Sequence, residues 1–145
     1  MKIRAAMPEL AGVENWFNSK PLAREELLGG WTLIYFWSMS CGSCQQQFER
    51  LKQMLARYEQ LQWISVHMPR TEEDRDKRNV QRYIKMQQHE EPVALDEAYV
   101  LTNRFGTHFV PSYYVFDQLG MLRYYQSGDR SLKLLEQRLG RFLAQ

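Results

Sequence analysis

Cysteine is scarce in this chain: its 145 residues include two, Cys41 and Cys44. That excludes a framework of several disulfides. A bridge between these two closes so small a loop that it would restrain the unfolded chain very little. Histidine is scarce too, and His67, His89 and His108 show no His-x3-5-His spacing that would complete a Cys2His2 zinc site. No apolar run reaches the ~20 residues of a membrane span. The N-terminal Met1-Lys2-Ile3-Arg4-Ala5-Ala6-Met7-Pro8 has no apolar stretch of signal-peptide length. The net charge of +2 is too small to imply a nucleic-acid or anionic-membrane partner. There is no FAD or NAD(P)H fingerprint, no repeat and no low-complexity segment. These absences lead to the expectation of one domain over residues 1–145, cytoplasmic and monomeric, with no cofactor, no metal, no nucleic acid and no membrane.

What is present suits a soluble globular protein: 44% hydrophobic residues for a core and 25% charged residues for a surface. The two cysteines form Cys41-Gly42-Ser43-Cys44, directly after the apolar run Trp31-Thr32-Leu33-Ile34-Tyr35-Phe36-Trp37. In a reducing compartment, so close a pair points to catalysis or metal binding rather than to structure. A strand feeding a helix here would set Cys41 at a helix N-terminus. Unpaired N–H groups and the helix dipole favour negative charge at that end, and so favour the nucleophilic thiolate. Cys44 would lie one turn further in, suited to resolving a mixed disulfide.

The rest of the chain reads as alternating elements. Met7-Pro8-Glu9-Leu10 and residues 13–17 suggest the two short strands of an N-terminal hairpin, and residues 21–28 a brief helical turn stopped by Gly29-Gly30. Residues 31–37 read as a fully buried central strand. From Cys41 the period becomes helical, with Phe48, Leu51, Leu55 and Tyr58 on one face. Gln62-Trp63-Ile64-Ser65-Val66 is a second strand, so strand, helix and strand form a parallel, right-handed βαβ unit. Thr71-Glu72-Glu73-Asp74 has the pattern of a capping box. The charged run over 72–78 reads as a solvated face leading into a helix with Val80, Tyr83 and Ile84 as its apolar stripe. His89 is expected at an exposed helix end and His108 in a solvated loop. Val93-Ala94-Leu95 is a short strand, and Asp96 can cap a helix that Gly106 closes. Val110-Pro111-Ser112-Tyr113-Tyr114-Val115-Phe116 and residues 121–125 form a hairpin around Asp117-Gln118-Leu119-Gly120. Leu132, Leu135, Leu139 and Phe142 mark a terminal helix.

This order resembles the thioredoxin fold. Phe36-Trp37-x-x-x-Cys41-x-x-Cys44 is similar to that family's active-site strand, and Val110-Pro111-Ser112 to its cis-proline loop. The N-terminal segment and the inserted region over 71–95 look like the TlpA/ResA branch. Met7-Pro8-Glu9-Leu10, Trp37-Ser38-Met39-Ser40-Cys41, His67-Met68-Pro69-Arg70 and residues 111–117 look closest to the YkuV-like cytosolic thiol-disulfide oxidoreductases of bacilli. The resemblance implies an α/β fold with a central mixed β-sheet flanked by helices, an N-terminal β-hairpin and a helical insertion. It implies Cys41 as the attacking thiol, Cys44 as the resolving one, Pro111 in the cis form, and Trp37, Val110 and Pro111 on the substrate-binding surface. The implied partners are disulfide-containing client proteins and an external thiol or thioredoxin-reductase-type electron donor.

Departures from the family pattern matter. Ser40 and Ser43 replace the Trp and Pro that thioredoxins carry before each cysteine. The two usual acid positions fall on Tyr35 and Gln47, so no carboxylate is expected to relay the Cys44 proton; water, Tyr35 or another group must do so. Three rival readings remain at this stage. One is a metal site. Another is a non-catalytic interaction module using an apolar patch of Trp37, Met39, Val110 and Pro111. The third is a thioredoxin-fold peroxidase, suggested by the Ser/Thr-x-x-Cys pattern of Ser38-Met39-Ser40-Cys41. Against the last, Ile34 stands where peroxiredoxins carry a proline.

Overall fold

The computed structural model describes residues 1–128 and 132–144. The run that lacks charge becomes the centre of the sheet. Thr32–Trp37 (β2) is buried along its whole length and pairs on both sides, parallel with Gln62–His67 (β3) and antiparallel with Ser112–Phe116 (β5). Asn15–Phe17 (β1), Val93–Leu95 (β4) and Leu122–Ser127 (β6) complete six strands in the order β1-β4-β3-β2-β5-β6. The β2–β3 and β3–β4 pairs are parallel. Each needs a crossover, supplied by the helices Gly42–Leu55 (α1) and Lys77–Met86 (α2). The chain then adds Val100–Phe105 (α3) and Leu132–Leu143 (α4).

Alternation along β2 sorts its side chains between two layers. Tyr35 stacks on Phe48 of α1, and Trp37 stacks on Tyr83 of α2. On the opposite face Phe36 packs edge-on against Phe105 of α3 and Tyr114 of β5. Helix α4 joins α1 through an Arg57–Glu136 ion pair at 3.1 Å and closes the sheet edge by stacking Phe142 on Trp31.

Three local expectations are corrected. The N-terminal hairpin does not form: β1 pairs antiparallel with β4, bringing Asn15 opposite Leu95, and Met7 to Leu10 is not a strand. That stretch is held instead by Arg104 of α3, whose guanidinium donates to the carbonyls of Glu9 and Ala11, with Met7 and Leu10 inserted into the core. Thr71 does accept the Asp74 N–H at 3.2 Å, but it caps only the 3-10 turn Glu73–Arg75. The α2 cap is Asp76, whose carboxylate accepts from the N–H groups of Arg78 and Asn79. The charged run is not wholly solvated either, because Asp74 is buried. Gly106 does close α3, in the left-handed conformation (φ 68°) that glycine tolerates best.

Candidate active site

Strand β2 ends at Trp37, and three residues later the chain turns into α1 with Cys41 as N-cap, its backbone extended (φ −91°, ψ 107°). At that position an N-cap side chain accepts a free helix N–H. Here the acceptor is sulfur: Cys41 Sγ takes the Cys44 N–H at 3.1 Å. Cys41 and Cys44 are disulfide-bonded, with Cα atoms 5.3 Å apart. The Val110–Pro111 bond is cis, and it sets the Val110 carbonyl 3.8 Å from Cys41 Sγ. Ser43 Oγ lies 3.5 Å from the same sulfur. Both cysteines are nearly enclosed, at 3% and 2% exposure. The rim is open, however: Ser40, Gly42 and His108 are exposed, and Phe109, next to Val110, is 66% exposed.

Four of the five residues picked out from the sequence thus converge: Cys41, Cys44, Val110 and Pro111. Trp37 does not join them at the surface. It is 1% exposed, so a docked client cannot touch it. The physical reason is strand alternation, which turns its ring into the α2 layer, between Tyr83 at 5.7 Å and His89 at 4.4 Å.

The loop before Cys41 is fastened residue by residue to the end of β3 and the segment after it. Met68 N–H donates to the Trp37 carbonyl at 2.8 Å, and Ser38 Oγ donates to the Met68 carbonyl. Met39 N–H donates to His67 Nε2 at 3.0 Å. Ser40 Oγ donates to Asp74 Oδ2 at 2.7 Å, and Cys41 N–H returns to the Ser38 carbonyl at 3.1 Å. Burial holds His67 down at about 4, with His89 adding to the shift and Asp74 opposing it. Its Nε2 is therefore a neutral acceptor near pH 7.

The two usual acid positions are neutral, as read from the sequence. Tyr113 O–H donates to Gln47 Oε1 at 3.1 Å. Tyr35 is stacked between Phe48 and Tyr113, and burial pushes its phenol well above its ordinary value, so it stays protonated. A carboxylate is nevertheless buried in the same layer. Glu91 precedes β4, and its Oε2 accepts from Ser65 Oγ at 2.6 Å and lies 2.7 Å from His89 Nδ1. Ser65 Oγ in turn accepts from Trp37 Nε1 at 3.0 Å. His89 was expected at an exposed helix end; instead its ring lies between Phe48, at 3.8 Å, and Trp37. Sequence reasoning missed this couple because Gln87-Gln88-His89-Glu90-Glu91 is polar throughout. The one available signal was Pro92, which ends the helix and lets the chain double back into the sheet. Among the described residues no three His, Cys, Asp or Glu side chains are grouped to hold a metal ion, and no helix is long and apolar enough to cross a membrane.

The family model described as AhpC/TSA matches residues 4–125. The chain belongs to that family. It is 40% identical to the thiol-disulfide oxidoreductase YkuV of Bacillus subtilis (strain 168), over 100% of this chain and 99% of the relative. The solution structure of a thioredoxin-like protein in its oxidised form has 40% identity and a TM-score of 0.89, with 99% of this chain and 98% of that chain covered. A thiol-disulfide isomerase from Corynebacterium glutamicum, at 20% identity, has a TM-score of 0.79 with 98% and 97% covered; that likeness bears on the fold alone. This AhpC/TSA member is thus a thioredoxin-fold thiol-disulfide oxidoreductase.

Proposed function

We propose that the protein runs in the reducing direction, as a monomeric, single-domain cytoplasmic reductase of protein disulfides, with Cys41 as nucleophile and Cys44 as resolving thiol. The observation that carries this reading is the sulfur of Cys41 in the N-cap position. A thiolate there keeps the Cys44 N–H and sits at the positive end of α1, so its negative charge is stabilised where attack must start.

The cycle begins with both cysteines reduced. The Cys41 thiolate attacks one sulfur of a client disulfide. A Cys41–client bond forms as the client's own S–S bond breaks, and the departing client thiolate takes a proton from solvent. Cys44 loses its proton and attacks Cys41 Sγ; the mixed bond breaks and the second client sulfur leaves, to be protonated in turn. The client gains two electrons and two protons, and the Cys41–Cys44 disulfide remains. An external dithiol, or a thioredoxin-reductase-type donor, returns the two electrons. The Val110 backbone beside cis-Pro111 is suited to pair with the client strand while the sulfurs exchange.

A peroxidase would need Ser38 at its substrate. That hydroxyl is fully buried and donates to the Met68 carbonyl, which disfavours that reading. The deciding test is Cys44→Ser, which is expected to accumulate mixed disulfides that dithiothreitol releases. Cys41→Ser is expected to abolish dithiothreitol-driven insulin reduction. An empty trap together with an undiminished Cys41→Ser rate would reject the assignment, and peroxide consumption without any disulfide substrate would favour the rival.

A further inference from the structure

Residue 40, immediately before the nucleophile, is held by a closed ring of hydrogen bonds that the disulfide chemistry does not require. Arg70 Nη2 donates to the Ser40 carbonyl at 2.9 Å, and Nε approaches Ser40 Oγ at 3.4 Å. Ser40 Oγ donates to Asp74 Oδ2, which also accepts the Arg70 backbone N–H at 2.8 Å. Asp74 is 2% exposed, so the anchor is firm, whereas Arg70 and Ser40 face solvent. Asp74 meets the Arg70 backbone and not its guanidinium. Among the described residues no carboxylate lies within ion-pair distance of that guanidinium. The guanidinium has five N–H donors, and the two pinned on Ser40 leave three directed elsewhere. The result is an exposed cation, fixed in position and unneutralised, one residue from the sulfur that a client must reach.

We propose that Arg70 is a specificity-determining residue: it selects clients that carry a carboxylate beside the disulfide cysteine under attack. The proposal rests on the reductase reading and adds a substrate class to it. A planar fork with free N–H groups recognises a carboxylate in two-point fashion. Because two of its donors already hold it on Ser40, little side-chain freedom is lost when the client docks. The other groups around the mouth do not cancel the charge. His67 is neutral near pH 7, Asp74 is buried behind Ser40, the Arg75 guanidinium is occupied by Tyr99 O–H and the Glu97 carbonyl, and His108 is exposed beyond Phe109. Glu72 and Glu73 are exposed on the same segment but outside ion-pair distance.

The test compares two disulfide peptides that differ only in Asp or Lys next to the reactive cystine. The wild-type protein is expected to reduce the Asp peptide about threefold to fivefold faster in kcat/KM, with the difference mainly in KM and shrinking as salt is raised. Arg70→Gln is expected to remove the preference, Arg70→Glu to invert it, and Arg70→Lys to retain part of it. Equal rates on the two peptides with the wild-type protein, a comparison that needs no variant to fold, would overturn the proposal and leave the reductase reading standing. An unchanged preference in a folded Arg70→Gln would also overturn it. Failure of the wild-type protein to reduce either peptide would sink the reductase reading itself.

Discussion

At the scale of one residue, His67 shows how a side chain can serve the site without facing it. Its Nε2 accepts the Met39 N–H, and adding a proton there would set a donor against a donor in a buried place. Burial depresses its folded pKa to about 4 from the ordinary 6.5. As pH falls through 6.5 the unfolded chain takes up a proton that the folded protein refuses until about pH 4. Stability is therefore fully present above 6.5, declines between 6.5 and 4, and changes no further on this account below 4. The slope integrates to roughly 3 kcal/mol at most. Urea unfolding at pH 7 and pH 4.5 is expected to show that loss, and His67→Asn is expected to flatten the dependence in that window. A wild-type-like slope in the variant would assign the effect to other groups. The end of a strand at His67 is legible in the sequence. Its bond to Met39 is not, because that contact spans 28 positions.

At the scale of an element, β4 owes its seat to the residue before it. Glu91 joins Ser65 of β3 to His89 beyond α2, and through Ser65 it reaches Trp37 of β2. Asn18 fixes the same turn from outside, its amide donating to the carbonyls of His89 and Glu91. Glu91→Ala would leave a buried hydroxyl and a buried ring nitrogen without their acceptor. The expected cost is about 2–4 kcal/mol in chemical denaturation, with a change in Trp37 emission. Glu91→Gln keeps an oxygen for Ser65 and is expected to cost less than half as much. Equal losses in the two variants would show that packing, rather than the hydrogen bonds, holds the turn. The strand Val93-Ala94-Leu95 was legible from its composition. Its acidic anchor was not, because a glutamate in a polar run defaults to solvent unless a partner is brought to it.

At the scale of the whole molecule, residues before β1 act as a lid on the α3 face. Ala6 bridges to Met121, Arg24 donates to the Met7 carbonyl, and Arg104 holds the carbonyls of Glu9 and Ala11. Met7 and Leu10 are each 1% exposed. Leu10→Ala is accordingly expected to cost about 2–5 kcal/mol, as deletion of a core side chain does elsewhere. A loss under ~1 kcal/mol in thermal or urea unfolding would mean that the segment rests on the core without completing it.

The chain's local pattern was enough to specify the order of strands and helices and the place of Cys41 at a helix start, with Pro111 opening the strand beside it. Apolar periodicity, turn residues and a three-residue spacing are properties of neighbours in the chain, so they can be read along it. The hairpin expected at the N-terminus failed because a short strand has no preferred partner until the sheet offers an edge, and β4 offered one. Only the tertiary structure turned Trp37 inward, enclosed His89 with Glu91, and brought Arg70 and Asp74 to Ser40. A charged or polar side chain is buried only when distant groups satisfy its hydrogen bonds, and which groups those are is decided by the packing of the whole sheet and its helices.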